Sequence, residues 1–136
     1  MKKDYCELHF ISEPSKVRGV VRCLLEFMDI HRLSPNIRDD LRLVFSELLY
    51  NAIFHGNKND GGKGVYVRVE VTSEYLYACI RDEGTGFDYK RALEDAKSDL
   101  SLHKEDGRGM VLVTALTDRL FYNESGNQIL FEKKLG

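Results

Sequence analysis

The chain is short of cysteine and proline, has no long apolar run and carries no excess of positive charge. Each shortage removes a class of protein. Its three cysteines, Cys6, Cys23 and Cys79, are odd in number and far apart, which fits neither a disulfide framework nor a zinc ligand set. They read as reduced and structural. Two prolines and 11 glycines in 136 residues leave little room for a disordered linker. No stretch approaches the ~20 apolar residues of a membrane-spanning helix. The opening Met1-Lys2-Lys3-Asp4-Tyr5-Cys6-Glu7 has no apolar core behind its lysines, as a signal peptide would. A cytoplasmic protein with no membrane partner is expected. With 20 basic against 22 acidic residues and a net charge of -2, the clustered positive excess of a nucleic-acid face is missing. No direct nucleic-acid partner is expected either.

What is present is ordinary for a globular protein, 43% hydrophobic and 31% charged residues. A chain of 136 residues suffices for one domain, 1–136, with a single sheet-and-helix core. Cys6 to Ile11 reads as a first strand, and Ser12-Glu13-Pro14-Ser15 as a helix start. Val17, Val20, Val21, Leu24, Leu25 and Met28 recur at three and four residue spacing, so a helix there buries one face against a sheet. Ser34-Pro35 repeats the start signal. Ile37, Leu41, Phe45, Leu48, Leu49, Ala52 and Ile53 then carry a longer helix to about His55, ended by Gly56.

Residues 57–64 have loop composition, and Val65 to Thr72 alternates as a half-buried strand does. Glu74 to Arg81 pairs with it in an antiparallel hairpin that delivers Asp82 at its end. Phe87 to Asp106 is polar and irregular, with at most a weak helix through Ala92, Leu93, Ala96, Leu100 and Leu102, the composition of a mobile lid. A helical run resumes from Met110 to Leu116, and Leu120 to Glu132 forms a closing hairpin turning near Gly126-Asn127.

Three clusters carry chemistry. Glu47 and Asn51, four apart, fall on one helix face beside the apolar stripe, at an edge where a polar pocket can form. The Asn51 carbonyl suits magnesium, which takes hard oxygen ligands and keeps several waters. Glu47, one turn earlier, suits orienting or deprotonating an attacking hydroxyl or water. In Asp82-x-Gly84-x-Gly86 a carboxylate can accept from an exocyclic amine such as adenine's, and glycines let backbone approach a planar base. Gly107-Arg108-Gly109 at a helix start points free amides at an anion. Singly, each has a plainer reading: a solvated helix face, an Asp- and Gly-rich turn, a glycine-broken helix entry. Arg108 can add charge to a phosphate or lie in water.

Order and spacing tie the three together. Acid-amide helix, hairpin ending in Asp-x-Gly-x-Gly, polar lid and glycine-led helix form a pattern that resembles the GHKL-type, histidine-kinase-like ATPase superfamily of gyrase, sensor histidine kinases and mismatch-repair proteins. The likeness runs from about Val17 to Leu135. Within it, the length, the short lid and the segment Phe45-Ser46-Glu47-Leu48-Leu49-Tyr50-Asn51-Ala52-Ile53-Phe54-His55-Gly56 look most like the anti-sigma-factor serine kinases.

The resemblance implies an α+β, two-layer sandwich with a mixed, mostly antiparallel sheet, and ATP and Mg2+ as cofactors. It implies Asn51 on magnesium, Glu47 as catalytic acid-base residue, Asp82 on adenine, Gly84 and Gly86 shaping the base pocket, and Gly107, Arg108 and Gly109 on phosphates. His55 matches the family's helix end, though a packed or capping histidine explains it as well. The lid departs from any fixed pattern, and whether Lys104 contacts phosphate stays open. The partners implied are a sigma factor and an anti-sigma-factor antagonist whose serine is phosphorylated, with the protein a homodimer.

Val20, Leu24 and Phe27 could contribute a dimer face, core packing being the plainer role for each. The alternative function is an ATP-binding regulator that sequesters a partner without phosphotransfer. A detached histidine-kinase catalytic domain is set lower, because the chain has no room for a dimerising hairpin with a phosphoacceptor histidine. A dinucleotide-binding oxidoreductase is too, because Gly84-Thr85-Gly86 lacks the helix-opening third glycine and parallel crossover.

Overall fold

A computed structural model describes residues 4–85 and 105–136, with the backbone alone at 105–108. The elements run β1 (Asp4–Ile11), a 3-10 turn (Pro14–Lys16), α1 (Val17–Asp29), α2 (Pro35–Asn51), β2 (Gly64–Val71), β3 (Tyr75–Asp82), α3 (Glu105–Leu116), β4 (Arg119–Tyr122) and β5 (Gln128–Lys134). The five strands form one sheet in the order β1-β2-β3-β5-β4, and all its pairings are antiparallel. This is the expected α+β architecture, and the sheet, expected to be mixed and mostly antiparallel, is antiparallel throughout its described strands.

Alternation decides which face of the sheet meets the helices. Val65, Val67, Val69 and Val71 of β2, Leu76, Ala78 and Ile80 of β3, and Ile129 and Phe131 of β5 all point inward and are buried. They meet Val17, Val21, Leu24, Leu25 and Met28 of α1, and Leu41, Val44, Phe45, Leu48 and Leu49 of α2, with Met110 and Val113 of α3 completing the core. Leu24 is 0% exposed, and Val20 and Phe27 pack against the same core. The core role therefore holds for this stripe, and Leu24 is not available to a dimer face.

The opposite face carries Tyr5, Tyr66, Tyr77, Phe121 and Leu130, none fully buried. Arginines roof three of these rings, Arg68 over Tyr5 at 4.3 Å, Arg81 over Tyr66 at 4.4 Å and Arg119 over Phe121 at 4.9 Å.

α2 is the central helix, packed on α1 on one side and α3 on the other. Its start follows the capping logic: Ser34 Oγ accepts from the Ile37 N–H at 3.3 Å and Pro35 occupies the first turn. Past Asn51 the helix widens into one π-helical turn, Ala52–Gly56, closed by the Asn57 N–H on the Ala52 carbonyl at 2.8 Å. The helix thus ends at Gly56, as its glycine foretold, but in a wider turn than the 3.6-residue periodicity predicts. β2 and β3 are joined by a tight turn in which Thr72 Oγ1 accepts from the N–H groups of Glu74 and Tyr75. In the last hairpin Gly126 supplies the left-handed residue at φ 74°. Among the described residues no helix is long and apolar enough to cross a membrane.

Phe45 joins the two layers: it is 0% exposed and meets Phe131 edge to face at 5.3 Å. Phe45→Ala should cost roughly 3–5 kcal/mol, a large fraction of the ~5–15 kcal/mol of a typical domain. Urea unfolding should show a sharply lowered midpoint; a loss below ~1 kcal/mol would place Phe45 outside the core.

Candidate functional site

The site has two ends, both built on α2. At the first, Glu47 and Asn51 sit one turn apart on the side facing α3, each half-buried. The Asn51 amide nitrogen donates to the Met110 sulfur at 3.5 Å, which turns its carbonyl oxygen away from that contact. Glu47 lies against Gly109 so closely that a Cβ there would come within 2.3 Å of Glu47 Oε2. Glycine at 109 therefore leaves room for the carboxylate, and the second turn of α3, at Gly109 and Met110, is brought beside the acid and the amide.

At the second end, Asp82 closes β3 and is 2% exposed. Its N–H is held by the Asn127 carbonyl at 2.9 Å, and its Oδ1 accepts from the Gly84 N–H at 2.8 Å. The carboxylate packs on Gly56, where a Cβ would fall 2.1 Å from Oδ2. Gly84 presses on the same residue, since a Cβ on it would meet the Gly56 carbonyl oxygen at 1.7 Å. Only two glycines permit this approach of loop to helix end. Burial raises the Asp82 carboxyl above its ordinary value, while the Gly84 N–H and the Lys63 charge oppose the rise. A buried carboxylate oxygen suits recognition of a planar, amine-bearing base.

Three residues that the motifs did not reveal brace this end. Asn57 is fully buried, its Nδ2 donating to the Gly64 carbonyl at 3.0 Å and its Oδ1 accepting from the Glu83 N–H at 2.8 Å. The Glu83 carboxylate accepts in turn from the Gly64 N–H. Asn57 lies in a stretch whose composition spells only a loop, and Gly64 reads only as a loop end. The one available signal was an amide directly after the terminating Gly56.

The structure thus brings Glu47, Asn51 and Gly109 together along the last turns of α2, and Asp82 and Gly84 against Gly56, at the close of the π-helical turn that follows. Gly107 and Arg108 fall in the first turn of α3, which begins at Glu105, within the segment expected to be polar and irregular. Their side-chain surroundings, Gly86, Lys104 and the expected lid at 87–104 lie outside the described residues. His55 lies half-buried in the π-helical turn. Among the described residues no group of three or more His, Cys, Asp or Glu side chains could hold a metal ion.

The profile of the histidine kinase-like ATPase domain family matches residues 10–133. The chain is 31% identical to an anti-sigma F factor of Bacillus licheniformis over 71% of its own length and 68% of that protein. It is 28% identical to the serine-protein kinase RsbW of Bacillus subtilis and 31% identical to that of Bacillus velezensis, each over 97% of this chain and 86% of the relative.

The raised carboxyl of Asp82 makes a prediction about stability. At neutral pH the native state bears the cost of a desolvated charge; below the ordinary carboxylate value of ~3.9 both folded and unfolded forms are protonated and the cost vanishes. Asp82→Asn should therefore raise the thermal midpoint at about pH 7, and its advantage over the parent should shrink towards about pH 4 as the raised value is crossed. Thermal melts across that range check it, and an advantage constant with pH would remove the charge as its cause.

Proposed function

The chain belongs to the histidine kinase-like ATPase domain family, and on that premise we propose that it is an ATP-dependent serine protein kinase acting as an anti-sigma factor. It binds a sigma factor and phosphorylates a serine of an anti-sigma-factor antagonist. The names of its relatives support this reading. The observation that carries it is that one helix, α2, holds an acid and an amide beside the glycine-led helix α3 and also seats the Asp82–Gly84 loop on its end.

The residues present fit ATP and Mg2+. Asn51 offers a side-chain carbonyl, the hard oxygen that Mg2+ takes alongside phosphate oxygens and water. Asp82 is a buried acceptor for the adenine amine, with Gly84 and Gly86 shaping the space for the ring. The first-turn amides at Gly107 and Arg108 would hold phosphates, favoured by the helix dipole, with Arg108 adding a positive charge and Gly109, the fifth residue of α3, leaving room beside Glu47. Bound Mg-ATP supplies the phosphoryl group and neutralises charge as it moves. Glu47 orients the acceptor serine hydroxyl and takes its proton. The protein works as a single domain and a homodimer in the cytoplasm, with neither nucleic acid nor membrane in direct contact.

Two substitutions separate binding from transfer. Asn51→Ala should weaken magnesium-dependent ATP binding by about tenfold or more, ~1.4 kcal/mol, in calorimetric titration. Glu47→Gln should leave ATP affinity within about threefold and reduce phosphate transfer to the antagonist by at least ~100-fold. Transfer surviving in Glu47→Gln would reject the catalytic role. A parent that binds ATP but phosphorylates no antagonist would instead be an ATP-binding module that sequesters its partner without phosphotransfer.

Gly109→Ala adds a test of the geometry, because a Cβ there pushes on the free end of Glu47 rather than on backbone. It should lower transfer while leaving the thermal midpoint nearly unchanged; full activity would show that the Glu47 position is not critical.

A further inference from the structure

Consecutive N–H groups of a strand point to opposite sides, and those of Asp82 and Glu83 obey this rule. Asp82 donates towards the β5 side, to the Asn127 carbonyl at 2.9 Å. The Glu83 N–H therefore points towards β2. In the register that pairs Val65 with Asp82 and Tyr66 with Arg81, the next residue opposite Glu83 is Gly64. Its carbonyl is the acceptor that a continuing ladder would use.

The side-chain amide of Asn57 is inserted there instead: Nδ2 donates to the Gly64 carbonyl at 3.0 Å and Oδ1 accepts from the Glu83 N–H at 2.8 Å. One amide group stands in for a peptide between two strands that have parted. The parting frees Gly84 to turn onto Gly56 and aims the Asp82 carboxylate at the helix end. Asn57 itself is placed by the π-helical turn, through its N–H on the Ala52 carbonyl. An asparagine that merely closed a helix would need one of its two amide ends; here both ends are used, in a fully buried position, on two different strands.

We propose that Asn57 is the positioning residue of the base pocket: by wedging β2 from β3 it sets where the Asp82 carboxylate stands, and so sets the preference for adenine over guanine. This rests on the reading of Asp82 as the contact to the base amine. Guanine presents a carbonyl where adenine presents its 6-amine, so a carboxylate held at that place attracts one and repels the other. A carboxylate released from it discriminates less.

The experiment is calorimetric titration of the full chain with Mg-ATP and with Mg-GTP, in the parent, Asn57→Asp and Asn57→Ala. A core control, Ile129→Val, is included with the titration temperature set equally far below each thermal midpoint. Asn57→Asp keeps the size and the acceptor for Glu83 while losing the donor to Gly64. The ATP-to-GTP affinity ratio should fall by at least about tenfold in both Asn57 variants and stay within about twofold of the parent in the control. Variants that are less stable but keep the parental ratio would make Asn57 a folding element only and overturn the proposal, as would failure of both variants to fold. A parent that binds neither nucleotide would defeat the nucleotide reading itself. A parent that discriminates while the Asn57 variants discriminate equally well defeats only the role of Asn57.

Discussion

The site depends on one close approach of backbone to backbone, the Asp82-Glu83-Gly84 loop seated on the end of α2 at Gly56. A Cβ on Gly84 would lie 1.7 Å from the Gly56 carbonyl oxygen and a Cβ on Gly56 would lie 2.1 Å from Asp82 Oδ2. No side chain larger than hydrogen is compatible with either position unless the loop withdraws. Because the loop also ends β3, which is paired on both sides, that contact fixes the helical layer against the sheet at the proposed base pocket. The proposed phosphate end then follows, since Asn51 and Glu47 precede Gly56 on the same helical run, Asn51 by little more than one turn and Glu47 by one turn more.

The same contact works against stability. Asp82 is a nearly buried carboxylate whose carboxyl is raised by that burial, with one backbone N–H and the charge of Lys63 in partial compensation. An apolar or amide side chain would sit there at less cost. The chain keeps an acid where packing alone would not choose one, and that local conflict marks function more clearly than any single motif letter. The rest of the core contains little of this kind. Among the described residues the other buried polar ones are Ser12 and Asn57, and the latter has both ends of its amide satisfied.

Much of this was legible in the chain because periodicity reports burial. The valines of β2, the three-and-four stripe of α1 and the Ser34-Pro35 start of α2 each follow from local rules that the tertiary structure did not override. The ends of β3 and α2 were legible for the same reason, one from its alternation and the other from its glycine. Less legible was anything made by two distant segments meeting. Asn57 looks like any loop asparagine until Gly64 and Glu83 are brought to its two ends, 7 and 26 residues away. The π-helical turn was hidden too, since an extra residue in one turn leaves the apolar pattern of Ala52 and Ile53 almost unchanged. Leu24 shows the converse: a helix stripe alone does not say how wide its buried face is, and complete burial assigns this residue to the core.

The two ends of the site differ in how they are held. The base end is packed and hydrogen-bonded on every described side: Asp82 by Gly84 and Asn127, Glu83 by Asn57, and Gly64 by Glu83 and Asn57. Changes there must move backbone, so on the function proposed above they act on affinity and on which base is accepted. At the phosphate end the described contacts are a sulfur on the Asn51 amide and a glycine beside the Glu47 carboxylate, both half-buried side chains. Those groups can be altered without moving backbone, so on the function proposed above changes there act on charge and proton transfer. On the proposed function, a braced recognition end and a less constrained chemical end on one helix separate the choice of base from the chemistry at the phosphates.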